Sequence, residues 1–109
     1  MFHMLSCFDL VSGVSIVEFQ NSNSIFLKHM RELGLVQSTG PVGRRKRHPV
    51  MDTDKERDQD YFYIMSFTDE DQCNRAVEYI QSYEAHGDLV HTGLSSKIEN
   101  HLFICWEDI

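Results

Sequence analysis

The stretch Tyr61–Phe67, YFYIMSF, constrains the fold more than any other: it is aromatic or apolar at alternate positions of both parities, interrupted only by Ser66. A β-strand sends successive side chains to opposite faces, so a strand of this composition must be covered twice and belongs in the middle of a sheet. Two further segments share the property. Residues 1–10, MFHMLSCFDL, place Phe2, Met4 and Phe8 on one side and His3, Leu5 and Cys7 on the other. Residues 102–106, LFICW, form a last strand that is apolar on both faces.

Helical periodicity fills the intervals between these strands. Ser12 with Gly13 is a start signal, after which Ile16, Phe19, Asn23, Phe26, Met30 and Leu33 recur at helical spacing until Gly34 supplies a stop. Thr68 followed by Asp69, Glu70 and Asp71 has the form of a capping box with acids in the first turn. Cys73, Ala76, Val77, Ile80 and Tyr83 then trace the buried face of a second helix that ends near Gly87. Residues 35–39 read as a second strand, resuming beyond Gly40 and Pro41 through Val42 and the run Arg44, Arg45, Lys46, Arg47. Pro41 marks an edge strand or a bulge. Residues 48–60 form a polar, solvated connection with five acids, in which Thr53 and Glu56 are placed to cap a short helical turn. Residues 88–101 carry the weakest pattern, with a short edge strand at 89–91 and an irregular connection after it.

The order that results is βαββαβ, the split-βαβ arrangement of an α+β, ferredoxin-like fold with a four-stranded antiparallel sheet and two helices on one face. At 109 residues, with 41% hydrophobic and 25% charged side chains, the chain is read as a single domain spanning residues 1–109. Two helices cover only one face of such a sheet. The apolar residues on the other, drawn from Phe2, Met4 and Phe8 with Leu102, Ile104 and Trp106 or their alternates, call for a symmetric partner, and a homodimer is expected.

The stretches HMRELGL at 29–35, HPVMDTDKERDQDYFYIMSF at 48–67 and FICWEDI at 103–109, together with the element order, resemble the dimeric α/β-barrel proteins, and most closely small uncharacterised bacterial members of that group. In that group two ferredoxin-like protomers join sheet to sheet. The resemblance implies a dimeric α/β barrel here. The group includes cofactor-independent monooxygenases, small isomerases or decarboxylating enzymes, haem-binding proteins and stress-responsive proteins, so it does not by itself specify chemistry.

Charge excludes some partners. A net charge of -7 opposes nucleic acid and anionic membranes, since phosphate binding needs clustered Lys and Arg. YFYIMSF lacks the basic and glycine residues of an RNA-recognition motif and follows Asp58, Gln59 and Asp60 instead. Asp52, Asp54 and Glu56 begin like a calcium loop, but Arg57 stands where its turn glycine belongs and Tyr63 where the closing Glu belongs. The histidines, His3, His29, His48, His86, His91 and His101, show no metal-ligand spacing, and no cofactor motif is present. Three cysteines, Cys7, Cys73 and Cys105, suit buried thiols in a reducing compartment, and the N-terminal residues lack the features of a signal peptide, so the expected location is cytoplasmic.

The candidate site residues are polar groups inside apolar strands or within the basic run. His3 is a candidate general base and Tyr63 a candidate oxyanion stabiliser, with His48 as a further catalytic candidate. Arg45, Tyr61, Trp106 and Glu107 are candidate ligand contacts. In the resembled fold the first strand lies between the third and fourth, which would let His3, Tyr61, Tyr63, Trp106 and Glu107 meet in one cavity provided strand parity puts them on one face. The ordinary reading gives these residues structural roles, with the basic run either protecting a sheet edge or pairing with the acidic 52–60 loop. Two functions are therefore open: a small-molecule-binding protein or cofactor-independent enzyme of the monooxygenase or isomerase kind, and a non-catalytic stress-related or interaction dimer.

Overall fold

The computed structural model describes residues 1–86 and 93–109. Its elements are β1 (Phe2–Leu10), α1 (Ile16–Glu32), β2 (Ser38–Thr39), β3 (Gly43–Arg44), β4 (Tyr61–Phe67), α2 (Glu70–His86) and β5 (Ile98–Glu107). The strands form one antiparallel sheet in the order β2-β4-β1-β5, with β3 also pairing with β4. The two-sided strand YFYIMSF is thus interior, and β1 lies between β4 and β5 as anticipated. The sheet does not close into a barrel. Gly40 and Pro41 split the edge into the two short pieces β2 and β3, because a proline cannot donate to the ladder.

Local chemistry accounts for the helix ends. α1 starts at Ser15 rather than at Ser12–Gly13: Ser15 Oγ accepts the Glu18 amide at 3.1 Å, while Gly13, at φ 88°, makes the preceding turn. Gly34, at φ 69°, ends it as expected, and the amide of Leu35 returns to the Met30 carbonyl at 2.9 Å. At the head of α2 the cap is Asp69, whose Oδ1 accepts the Gln72 amide at 2.9 Å. Buried Gln72 accepts the Thr68 amide at 2.7 Å and donates to the Gly34 carbonyl at 3.0 Å, fastening the start of α2 to the end of α1. A hydrogen bond between His29 and Tyr79 joins the two helices further along.

Register divides the sheet residues into two sets. Phe2↔Phe67, Met4↔Met65, Ser6↔Tyr63 and Phe8↔Tyr61 are opposite one another on the helix side, with Phe103 and Cys105 from β5. Phe8, Phe19, Met30, Met65 and Phe67 are the heart of the core. The open side carries His3, Leu5, Cys7, Phe62, Ile64, Ser66, Leu102, Ile104 and Trp106. Phe2, Met4 and Phe8 are therefore under the helices and cannot combine with Leu102, Ile104 and Trp106 on an uncovered face. The uncovered apolar residues are Ile64, Ile104 and Trp106, exposed by 38%, 38% and 41%, beside half-buried Leu5.

β5 is longer than its apolar stretch, because residues 98–101 continue the ladder past an irregularity between Cys7 and Asp9. Asn100 takes φ 51° there, a left-handed conformation that asparagine tolerates, and its amide nitrogen donates to Asp9 and Asp58 at 2.9 and 3.0 Å. The expected strand at 89–91 lies outside the described residues. Cys7 and Cys73 are buried free thiols; Cys105 is free and exposed, contrary to expectation, because β5 is an edge strand. Among the described residues no helix is long and apolar enough to cross a membrane.

Candidate ligand cavity

Between the helices and the sheet lies a cavity of about 450 Å³, within the range of small-molecule sites. β1 provides its floor with Met4, Ser6 and Phe8; α1 and α2 wall it with Phe19, Phe26, Val77 and Ile80; β5 contributes His101 and Phe103. Phe8 holds the floor rigid, with its ring centroid 4.8 Å from Phe19 and 6.0 Å, edge-on, from Tyr63. Tyr63 enters the cavity from β4. Its hydroxyl is 3.9 Å from Met65 Sδ, and burial pushes its pKa up, an effect that an interaction with the Ser6 side chain partly offsets. The phenol therefore stays protonated and serves as a hydrogen-bond donor. Ser6 is 2% exposed, and its Oγ has no partner at hydrogen-bonding geometry.

His3 faces the other side of the sheet. Its Nδ1 is 2.8 Å from Ser66 Oγ and its Nε2 is 2.8 Å from Asp108 Oδ1, with the ring 5.2 Å from Trp106. The N-terminal amine lies 3.6 Å from the other oxygen of Asp108. The hydrogen bond from His3, then its charge and that of the amine, hold the Asp108 carboxyl below its ordinary pKa of 3.8. Ser66, His3 and Asp108 form a hydrogen-bonded chain on the open face, apart from the cavity.

At the other end of that face the 45–57 segment folds back over Cys7 and Phe62. Arg45 binds Asp52 with two hydrogen bonds, of 2.8 and 2.7 Å, and also donates to the Asp54 and Arg57 carbonyls. The basic run thus pairs with the acidic loop. His48 Nδ1 accepts the Val50 and Met51 amides, closing a turn. The short helical turn that Thr53 and Glu56 were expected to cap does not form; instead Asp54 Oδ1 accepts the amides of Glu56 and Arg57 at 2.9 and 3.3 Å and closes a local turn. The Arg57 hydrogen bond is the largest influence lowering the Asp54 pKa from 3.8 to about 2. Because the folded value is below the unfolded one, the stabilisation is complete above about pH 3.8 and is lost as pH falls toward 2. Carboxyl carbon NMR is expected to give an Asp54 midpoint near 2, moving toward the ordinary value in Arg57→Gln; an unshifted midpoint in the native protein would contradict this loop geometry.

The sequence-derived candidates therefore do not come together in one site. Tyr63 alone of them lines the cavity. His3 and Trp106 sit together at one end of the open face, and Arg45 and His48 at the other. Tyr61 is on the helix side, stacked 5.8 Å from Phe8 with the Arg44 guanidinium 5.7 Å above its ring. Glu107 is exposed in register with Phe2. The single cavity joining His3 to Tyr63 does not form, because residues 3 and 63 have opposite parity relative to the β1–β4 register. Sequence reasoning did not select Ser6 or His101, which line the cavity, or Ser66 and Asp108, which hold His3. For Ser6 a signal existed: it is the one polar residue among Phe2, Met4, Ser6 and Phe8.

No protein-family model and no curated protein matches the sequence. Solved structures do match in fold. The At3g17210 protein of Arabidopsis thaliana superposes with a TM-score of 0.72 at 9% identity, over 100% of this chain and 96% of the other. A dimeric ferredoxin-like protein of unknown function from Jannaschia sp. CCS1 gives 0.60 at 16% identity, over 98% of both chains. A dimeric protein of unknown function with a ferredoxin-like fold from Bacteroides fragilis gives 0.53 at 13% identity, over 98% of this chain and 95% of the other. At these identities the likeness is one of fold, and the fold is ferredoxin-like.

Proposed function

We propose that this protein is a homodimer whose protomers each bind a small molecule in the cavity between sheet and helices. The observation that carries the binding reading is the cavity itself, an apolar recess of about 450 Å³ with Ser6 and Tyr63 as polar points in its floor. Dimerisation rests on the open face with Leu5, Ile64, Ile104 and Trp106, and agrees with two fold relatives that are described as dimeric. Two sheets facing each other would make the barrel-like pair that one open sheet does not. A reducing compartment such as the cytoplasm suits the three thiols.

Any reaction here would be of the cofactor-independent kind, isomerase-like or monooxygenase-like, with protonated Tyr63 polarising an oxygen of the substrate. The alternative of a non-catalytic interaction dimer draws support from His3, whose ring is held by Ser66 and Asp108 on the face proposed for assembly.

The neutral fluorescent probe N-phenyl-1-naphthylamine tests the cavity. It is expected to bind at about one per protomer, and Val77→Trp, which fills the recess from α2, is expected to weaken it about fivefold or more. Ile64→Asp on the open face should leave probe affinity unchanged. Failure of the probe to bind, or its loss in Ile64→Asp but not in Val77→Trp, would refute the cavity reading.

A further inference from the structure

Resting on the cavity reading, we infer that the occupant is a neutral aromatic molecule bearing a single hydroxyl or carbonyl oxygen, and that this oxygen docks between Ser6 Oγ and Tyr63 OH. The first support is Ser6. Its Oγ is buried without a partner, it lines the cavity, and its register partner across the β1–β4 pair is Tyr63. An unpaired buried hydroxyl carries a desolvation penalty that a ligand oxygen relieves. Tyr63, with a long contact to a sulfur and an interaction with the Ser6 side chain, supplies the second contact to the same oxygen.

Charge and shape narrow the class further. Among the described residues no Lys, Arg, Asp or Glu lines the cavity, and its one imidazole, His101, is exposed on the edge strand β5. A carboxylate or an ammonium placed there would give up its hydration with no opposite charge to replace it. The rings of Phe8, Phe19, Phe26, Tyr63 and Phe103 provide both stacking and edge contacts, which suit a flat ring better than a flexible chain. One oxygen suffices, because Ser6 and Tyr63 are register partners and their side chains are close enough to interact.

Three probes of one carbon skeleton separate these points: naphthalene, 1-naphthol and 1-naphthoate, titrated into the full-length protein by NMR at neutral pH. Expected are binding of 1-naphthol about fivefold tighter than naphthalene and about tenfold or more tighter than 1-naphthoate. Ser6→Ala should abolish the gap between naphthol and naphthalene, chiefly by weakening naphthol, and Tyr63→Phe should narrow it. Equal affinity for naphthalene and naphthol, or tightest binding of 1-naphthoate, overturns the inferred ligand class yet leaves the cavity reading standing. If none of the three binds, the cavity reading falls and the inference with it.

Discussion

Ile64→Asp is expected to yield a folded monomer of 12.7 kDa, and the native protein is expected to be a dimer at micromolar concentration. Ile64 is in β4, an interior strand, directly opposite Leu5, and its side chain is 38% exposed on the open face. In a lone protomer an aspartate there faces water and costs the fold little. Inside a sheet-to-sheet interface it becomes an uncompensated buried charge, destabilising assembly by about 3–5 kcal/mol, or roughly a hundredfold to several thousandfold in dimer affinity. Sedimentation or light scattering reads the mass and circular dichroism the fold. A native protein that is monomeric, or a variant that remains fully dimeric, would remove this face as the interface.

Ser6→Ala is expected to stabilise the ligand-free protein, a sign opposite to that of most core substitutions. Ser6 is 2% exposed and its Oγ makes no hydrogen bond of good geometry, so replacement by a methyl group removes a desolvation penalty at the loss of no more than a weak interaction with Tyr63. The gain is about 1–2 kcal/mol, which for a chain of this size raises the melting temperature by roughly 5–10 °C. A position where function opposes stability is what a binding site built into a core produces. Thermal unfolding followed by calorimetry decides it. A variant destabilised by about 1 kcal/mol or more would mean that the hydroxyl has a partner in the folded protein.

Much of the fold was legible because the periodicities were strong. YFYIMSF announced an interior strand, Gly34 a helix stop and Pro41 a broken edge, and each signal acts over a few residues. The start of α1 was misread because Ser12–Gly13 and Ser15 are both plausible starts, and only the turn made by Gly13 assigns the cap to Ser15. The site was less legible for a different reason. The chain that holds His3 joins residues 3, 66 and 108, which only sheet pairing brings together, so no local spacing encodes it. The separation of His3 from Tyr63 followed from one unit of register, and a single residue of slip reverses which side chains share a face.

β1 has consequences for kinetics. Its consecutive residues look alternately into the cavity, at Met4, Ser6 and Phe8, and out across the open face, at His3, Leu5 and Cys7. A subunit docked on the outer side, as proposed, would leave the helical side free, so that a ligand could enter and leave without the pair coming apart. The dissociation rate of a bound molecule should then be independent of protein concentration, and ligand turnover and subunit exchange can run on separate clocks.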